Sequence, residues 1–91
     1  MPRDEQRITP RQDVLSRVLD GEAVLLDLES GTYFGLNDVG TRVWQLIVAG
    51  SSVGEIKSAL IDEFDVSADR LSRDLDELLL GLEKRGLVDL G

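Results

Sequence analysis

Residues 24–37, V-L-L-D-L-E-S-G-T-Y-F-G-L-N, constrain the fold more than any other part of this chain. The run divides at Ser30 and Gly31, two residues suited to a tight turn, into flanks rich in aliphatic, aromatic and β-branched side chains. Two adjacent strands are therefore expected. The second, made of Thr32, Tyr33, Phe34, Gly35 and Leu36, has no lysine, proline or charge of the kind that normally blunts the border of a sheet. Unpaired backbone groups on such a border invite another chain to pair.

Upstream, residues 14–19 lead into Asp20-Gly21, a dipeptide suited to a type I′ hairpin because both central positions must tolerate positive φ. With a turn of that length, Leu15 faces Leu26 and Arg17 faces Val24, and a three-stranded meander results. Val24, Leu25 and Leu26 run together instead of alternating, so part of the sheet is expected to be covered on both faces, by helices. Three helices follow. Asn37 is the N-cap of the first, with Asp38 in its first turn. Val39, Val43, Leu46 and Ile47 share a face, Trp44 sits beside it, and Gly50 is placed to end it. Ser52 and Glu55 have capping-box spacing before the stripe Val53, Ile56, Leu60 and Phe64. Ser67 caps a third helix from Ala68 to about Arg85, whose seam is Leu71, Leu75, Leu78 and Leu82. At 1.5 Å per residue it is roughly 27 Å long and crosses the whole domain. Gly86 then stops it, and Leu87 and Val88 fold back on the core.

The expected fold class is α+β, winged-helix-like, with an N-terminal three-stranded antiparallel sheet followed by three helices. One domain occupies residues 13–91. The polar residues 1–12, which hold both prolines, are expected to be a flexible N-terminal segment or a capping extension.

Composition removes several function classes. The chain has neither cysteine nor histidine, so disulfides, thiolate nucleophiles and imidazole metal sites are excluded, and no cofactor or metal is expected. Lys57 and Lys84 are the only lysines, both on helical surfaces, and carboxylate pairs such as Asp62-Glu63 and Asp76-Glu77 lie on polar helix faces. No enzyme is expected. Gly31, Gly35 and Gly40 do not form a phosphate loop, since no lysine or helix start follows in the right place. A net charge of −8 argues against nucleic acid, whose affinity comes largely from cationic side chains. The third helix agrees: Asp69, Asp74, Asp76, Glu77 and Glu83 interrupt Arg70, Arg73, Lys84 and Arg85, leaving no basic stripe to read bases. The N-terminal run M-P-R-D-E-Q-R-I-T-P is neither an export signal nor a membrane span, so a cytoplasmic protein is expected.

The open strand then has two readings. An incoming extended peptide adds to it, with backbone bonds supplying affinity and side-chain pockets selectivity, or the chain's own residues 87–90 or a second copy cover it. Tyr33 and Phe34 point to opposite faces in either case. Leu80, opposite Leu71 on the third helix, is placed to extend a dimer or partner contact.

The run V-L-L-D-L-E-S-G-T-Y-F-G-L-N-D-V-G-T-R-V-W-Q-L-I, the later S-V-G-E-I-K-S-A-L and the closing D-L-D-E-L-L-L-G-L-E-K-R-G-L-V resemble the pyrroloquinoline quinone biosynthesis protein D (PqqD) family, also called precursor-peptide recognition elements. The resemblance spans residues 13–88. Its most specific part is S-G-x-Y-x-x-L-N followed by G-x-x-x-W and a terminal G-L-V. It implies a small, non-catalytic chaperone that binds the leader of a ribosomally made peptide and delivers it to a modifying enzyme. It further implies that the leader adds as a fourth strand along Thr32, Tyr33, Phe34, Gly35 and Leu36. The leader would lie against the third helix near Leu71, Asp74, Leu75, Leu78 and Leu79, where Asp74 and Asp76 flank it and select lysine or arginine. The S-G-T-Y-F-G-L-N form is closer to the stand-alone proteins of lasso-peptide pathways than to those serving quinone cofactor synthesis, whose turn more often carries proline and glutamate. The recipient is a radical S-adenosylmethionine enzyme, a leader protease with a cyclase, or another modifier. A structural dimerisation module and an acidic winged-helix regulator are the alternatives from other classes.

Overall fold

In the computed structural model, which describes residues 3–90, the chain runs β1 (Thr9–Pro10), β2 (Val14–Leu19), β3 (Glu22–Asp27), β4 (Thr32–Gly35), α1 (Asp38–Val48), α2 (Val53–Glu63), α3 (Ala68–Lys84) and β5 (Val88–Asp89). Met1, Pro2 and Gly91 lie outside the described residues. Asp20 and Gly21 take φ of 53° and 80°, as a two-residue I′ turn requires, and they set the expected register of Leu15 against Leu26 and Arg17 against Val24. β4 pairs antiparallel with β3 to give the sheet order β2-β3-β4.

The second connection is wider than the tight turn expected at Ser30-Gly31. Asp27 pairs with Thr32, so residues 28–31 form the loop. Asp27 organises it: its carboxylate accepts from the Glu29 N–H at 3.0 Å and the Ser30 hydroxyl at 2.9 Å, and its carbonyl accepts from the Gly31 N–H at 2.7 Å. An aspartate that bonds the backbone ahead of it stabilises a looser turn than glycine alone would dictate.

Local chemistry sets the helix boundaries. Asn37 accepts from the Gly40 N–H at 2.8 Å, Ser52 and Glu55 form a reciprocal capping box, and Ser67 accepts from the Arg70 N–H. Gly50 and Gly86 end α1 and α3 in the left-handed region, at φ of 90° and 74°. The helices pack on one face of the sheet. Leu25 is buried there with Ile47, Ile56, Leu60, Leu79 and Leu82. Cover on both faces does not occur among the described residues: Val24 and Leu26 stay half-buried and Leu15 and Tyr33 are exposed, because nothing packs on the outer side.

Residues 3–12, expected to be a flexible segment or a capping extension, run across the start of α2. The Gln6 and Asp4 carbonyls accept from the Val53 and Gly54 N–H groups at 2.9 and 2.7 Å, the Gln6 side chain donates to the Leu90 carbonyl, and Ile8 enters the core. β1 pairs with β5, Thr9 opposite Asp89 and Pro10 opposite Val88. Leu87, Val88 and Leu90 are thereby buried beside the N-terminal segment, and the C-terminal strand pairs with β1 instead of covering β4.

Arg42 of α1 holds Glu63 at the end of α2 in a two-pronged contact, Nε to Oε1 at 2.8 Å and Nη2 to Oε2 at 3.0 Å. The guanidinium hydrogen bonds keep the Glu63 carboxyl below the ordinary glutamate range. A carboxyl whose value is depressed on folding contributes stability above its unfolded value and loses it as pH falls through the folded one. NMR titration is expected to show Glu63 protonating below the ordinary range, and Arg42→Met is expected to move that midpoint up. The pair is solvent-facing, so the accompanying change in stability is small.

Candidate functional site

Among the described residues, β4 has a strand on one side only. The Leu36 N–H donates to the Ala23 carbonyl at 2.8 Å, just beyond the pairing of Val24 with Gly35. Bonded positions alternate along an antiparallel ladder, so Thr32, Phe34 and Leu36 turn their backbone toward β3. Tyr33 and Gly35 direct their N–H and C=O groups away from it, about 7 Å apart and in the spacing another strand requires. At the end of the ladder the buried Thr41 hydroxyl takes over. It accepts from the Ala23 N–H at 2.7 Å and lies 3.4 Å from the Leu36 carbonyl, to which it donates. This ties α1 to the sheet and sets the angle at which the chain leaves β4.

Between this edge and α3 lies a cleft of about 590 Å³. Leu36, Val43, Leu71 and Leu75 make its floor, Phe34, Val39 and Leu78 its walls, and Arg70, Asp74 and Glu77 its charged rim. The Arg85 guanidinium sits 4.6 Å from the centre of the Phe34 ring, linking the end of α3 to β4 through a cation–π contact. Gly40 suits the tight corner: a Cβ there would meet the Leu36 Cβ and Cδ2 at 3.2 Å and the Asn37 Oδ1 at 3.3 Å, so those side chains would have to give by a few tenths of an ångström.

Of the residues singled out in the sequence, Phe34, Gly35, Leu36, Leu71, Asp74, Leu75 and Leu78 line the cleft. Thr32 and Tyr33 do not. Tyr33 is 69% exposed and projects from the opposite face, so only its backbone belongs to the edge. Leu79 must be reassigned: it is 0% exposed, because one step of 100° beyond Leu78 turns a side chain from the cleft into the core. Asp76 is likewise off the cleft. It is 7% exposed and lines a separate shallow depression with Asp69, Ser72, Arg73, Glu77 and Leu80, while Glu77 takes the place expected for it on the rim. The sequence reading missed the contributions of Asn37, Val39, Gly40 and Val43 from the start of α1, of Leu60 and Val66, and of Arg70 and Glu77. Val39 and Val43 share the apolar face of α1 with Leu46 and Ile47, and their spacing does not distinguish cleft from core. Glu77 was findable, since it stands one helical turn from Asp74.

Among the described residues no cluster of carboxylates is placed to hold a metal ion, and no helix is long and apolar enough to cross a membrane.

Residues 22–88 match the family described as Coenzyme PQQ synthesis protein D (PqqD). Two solved structures are similar to the chain over most of both lengths. One is TbiB1 in complex with the TbiA(beta) leader peptide, at 38% identity and a TM-score of 0.86, covering 89% of this chain and 94% of that one. The other is lasso peptide synthetase B1 complexed with the leader peptide, at 28% identity and a TM-score of 0.84, covering 91% and 98%. None of the curated proteins matches the chain.

Proposed function

Because the chain belongs to the PqqD family, we propose that it is a leader-peptide-binding adaptor of the stand-alone, lasso-peptide type, which carries a ribosomally made precursor to the enzyme that modifies it. The observation that carries this reading is the pair of outward-facing backbone positions, Tyr33 and Gly35, bordering an apolar cleft of about 590 Å³. A strand needs such a ladder for affinity and such a cleft for selectivity. The two similar structures are both complexes with leader peptides, which supports peptide binding as the role of this fold.

In this reading the leader adds beside β4 as a fourth strand. Its alternate side chains enter the cleft between Phe34, Leu36 and α3, and the intervening ones lie on the Tyr33 side. Asp74 and Glu77 on the rim favour lysine or arginine in the leader over acidic residues. The chain itself performs no chemistry, and the recipient is a leader protease acting with a cyclase, or a radical S-adenosylmethionine enzyme. Likeness to a lasso peptide synthetase component supports the first of these.

The test is a fluorescence anisotropy titration with the labelled leader of the chain's own precursor. Leu78 is only partly buried and lines the cleft, so Leu78→Ala is expected to weaken binding by about 1 to 3 kcal/mol, roughly 5- to 150-fold, with little change in melting temperature. Unchanged affinity in that variant, or no binding by the native chain, contradicts the proposal.

A further inference from the structure

The sheet has a second open border, and it differs from the first. β2 lies at the other end of the order β2-β3-β4, and its six residues, V-L-S-R-V-L, are exposed from Leu15 onward. The Leu28 N–H donates to the Asp13 carbonyl at 2.8 Å. With the β2–β3 register this assigns Leu15, Arg17 and Leu19 to the bonds with β3 and turns the backbone of Val14, Ser16 and Val18 outward. The Val14 N–H is engaged by the Arg11 carbonyl at 3.3 Å, which leaves the Val14 carbonyl and both groups of Ser16 and Val18 open. Leu15, Val18 and Leu19 are each about half exposed. No lysine, proline or bulge protects this strand.

We propose that the β2 border pairs with the β2 border of a second copy of the chain, antiparallel about a two-fold axis through Ser16. The sequence of the strand selects this occupant and this register. With Ser16 opposite Ser16, Val18 comes opposite Val14 of the second copy, and the open Val18 N–H meets the open Val14 carbonyl. Arg17 then faces Leu15, and Leu15 has Leu19 of the second copy as a diagonal neighbour, within reach of long apolar side chains. Moving the axis one residue to Arg17 sets two guanidinium groups opposite each other, which is destabilising. The acidic residues at the ends of the strand, Asp13 and Asp20, are not brought opposite acidic partners in the Ser16 register, so a chain with net charge −8 meets itself here without like charges facing. The two β4 edges end up at opposite limits of one continuous sheet, and each remains free for a leader. The dimer therefore presents two leader sites at once.

The absence of cysteine makes the register directly readable. Opposed bonded residues sit about 5.5 Å apart at Cα, within disulfide range, so Ser16→Cys is expected to cross-link to a dimer under mild oxidation while Leu19→Cys, which faces Asp13, does not. Sedimentation of the native chain is expected to rise from 10.0 kDa toward twice that mass as concentration increases from about 1 μM to 1 mM, the weak range suited to a small interface. Ser16→Pro removes an outward N–H without touching the bonds to β3, and is expected to shift the midpoint at least about tenfold upward through loss of hydrogen bonds on the axis. Leader affinity is measured in the same samples and is expected to be unchanged by Ser16→Pro, so loss of the dimer and loss of the adaptor function are read separately. A native chain that stays at 10.0 kDa throughout, or equal cross-linking of Ser16→Cys and Leu19→Cys, overturns the proposal.

Discussion

Gly35→Pro is expected to abolish measurable leader binding in a domain that still folds. The Gly35 N–H points away from β3, so proline removes no bond from the existing ladder, and a strand border is where proline is tolerated. Space is available: a Cβ on Gly35 meets nothing within 4 Å, and its φ is not in the left-handed region. Phe34, in the strand before it, already has the extended conformation that a following proline imposes. An incoming strand, however, loses a donor at one of two positions and meets the pyrrolidine ring where its own backbone must lie. The missing hydrogen bond alone is worth about 1 kcal/mol, and with the steric conflict a loss of roughly a hundredfold or more is expected. Calorimetric titration beside a thermal melt checks both halves. A variant that binds normally shows that the leader does not use this edge.

Leu79→Ala is expected to produce the opposite phenotype. Leu79 is fully buried among the residues that join α3 to the rest of the core, and truncating such a leucine costs about 2 to 5 kcal/mol through lost transfer energy and the cavity left behind. For a domain of 91 residues that is a large share of the total stability. Chemical denaturation should show the midpoint falling sharply, while any protein that remains folded binds leader with near-native affinity. Leu78→Ala, one residue away, is expected to do the reverse. If Leu79→Ala weakens binding without changing the denaturation midpoint, the assignment of Leu79 to the core is wrong.

This adjacent pair shows where the chain was legible. Strong local signals carried the architecture: Asp20-Gly21 determines the hairpin, Ser52 with Glu55 opens α2, and Gly50 and Gly86 close their helices, because each acts within a few residues of itself. The open edge was legible for the same reason, since protection of a border is written in the strand that forms it. The cleft was not fully legible, because it depends on how three elements meet. Leucines at 71, 75, 78 and 79 are alike in sequence, and only the rotation of α3 against α1 and α2 decides that Leu78 walls the cleft while Leu79 does not reach it. Val39 and Val43 read as core residues from their spacing, yet both also face the cleft, because Thr41 and Gly40 draw the start of α1 close to the end of β4. The N-terminal segment was the hardest to place. Backbone carbonyls of Asp4 and Gln6, which carry no side-chain signature, join it to α2, and its side-chain anchors, Gln6 and the lone apolar Ile8, form no periodic pattern.

Amide exchange tests the central claim most directly. In the free chain the Tyr33 and Gly35 N–H groups face away from β3, whereas the Phe34 N–H is turned toward it. On saturation with leader, exchange at Tyr33 and Gly35 is expected to slow at least about tenfold, with a much smaller change at Phe34, because only the outward groups gain partners. Leader that binds at full occupancy while the Tyr33 and Gly35 amides keep their free exchange rates would contradict strand addition at β4.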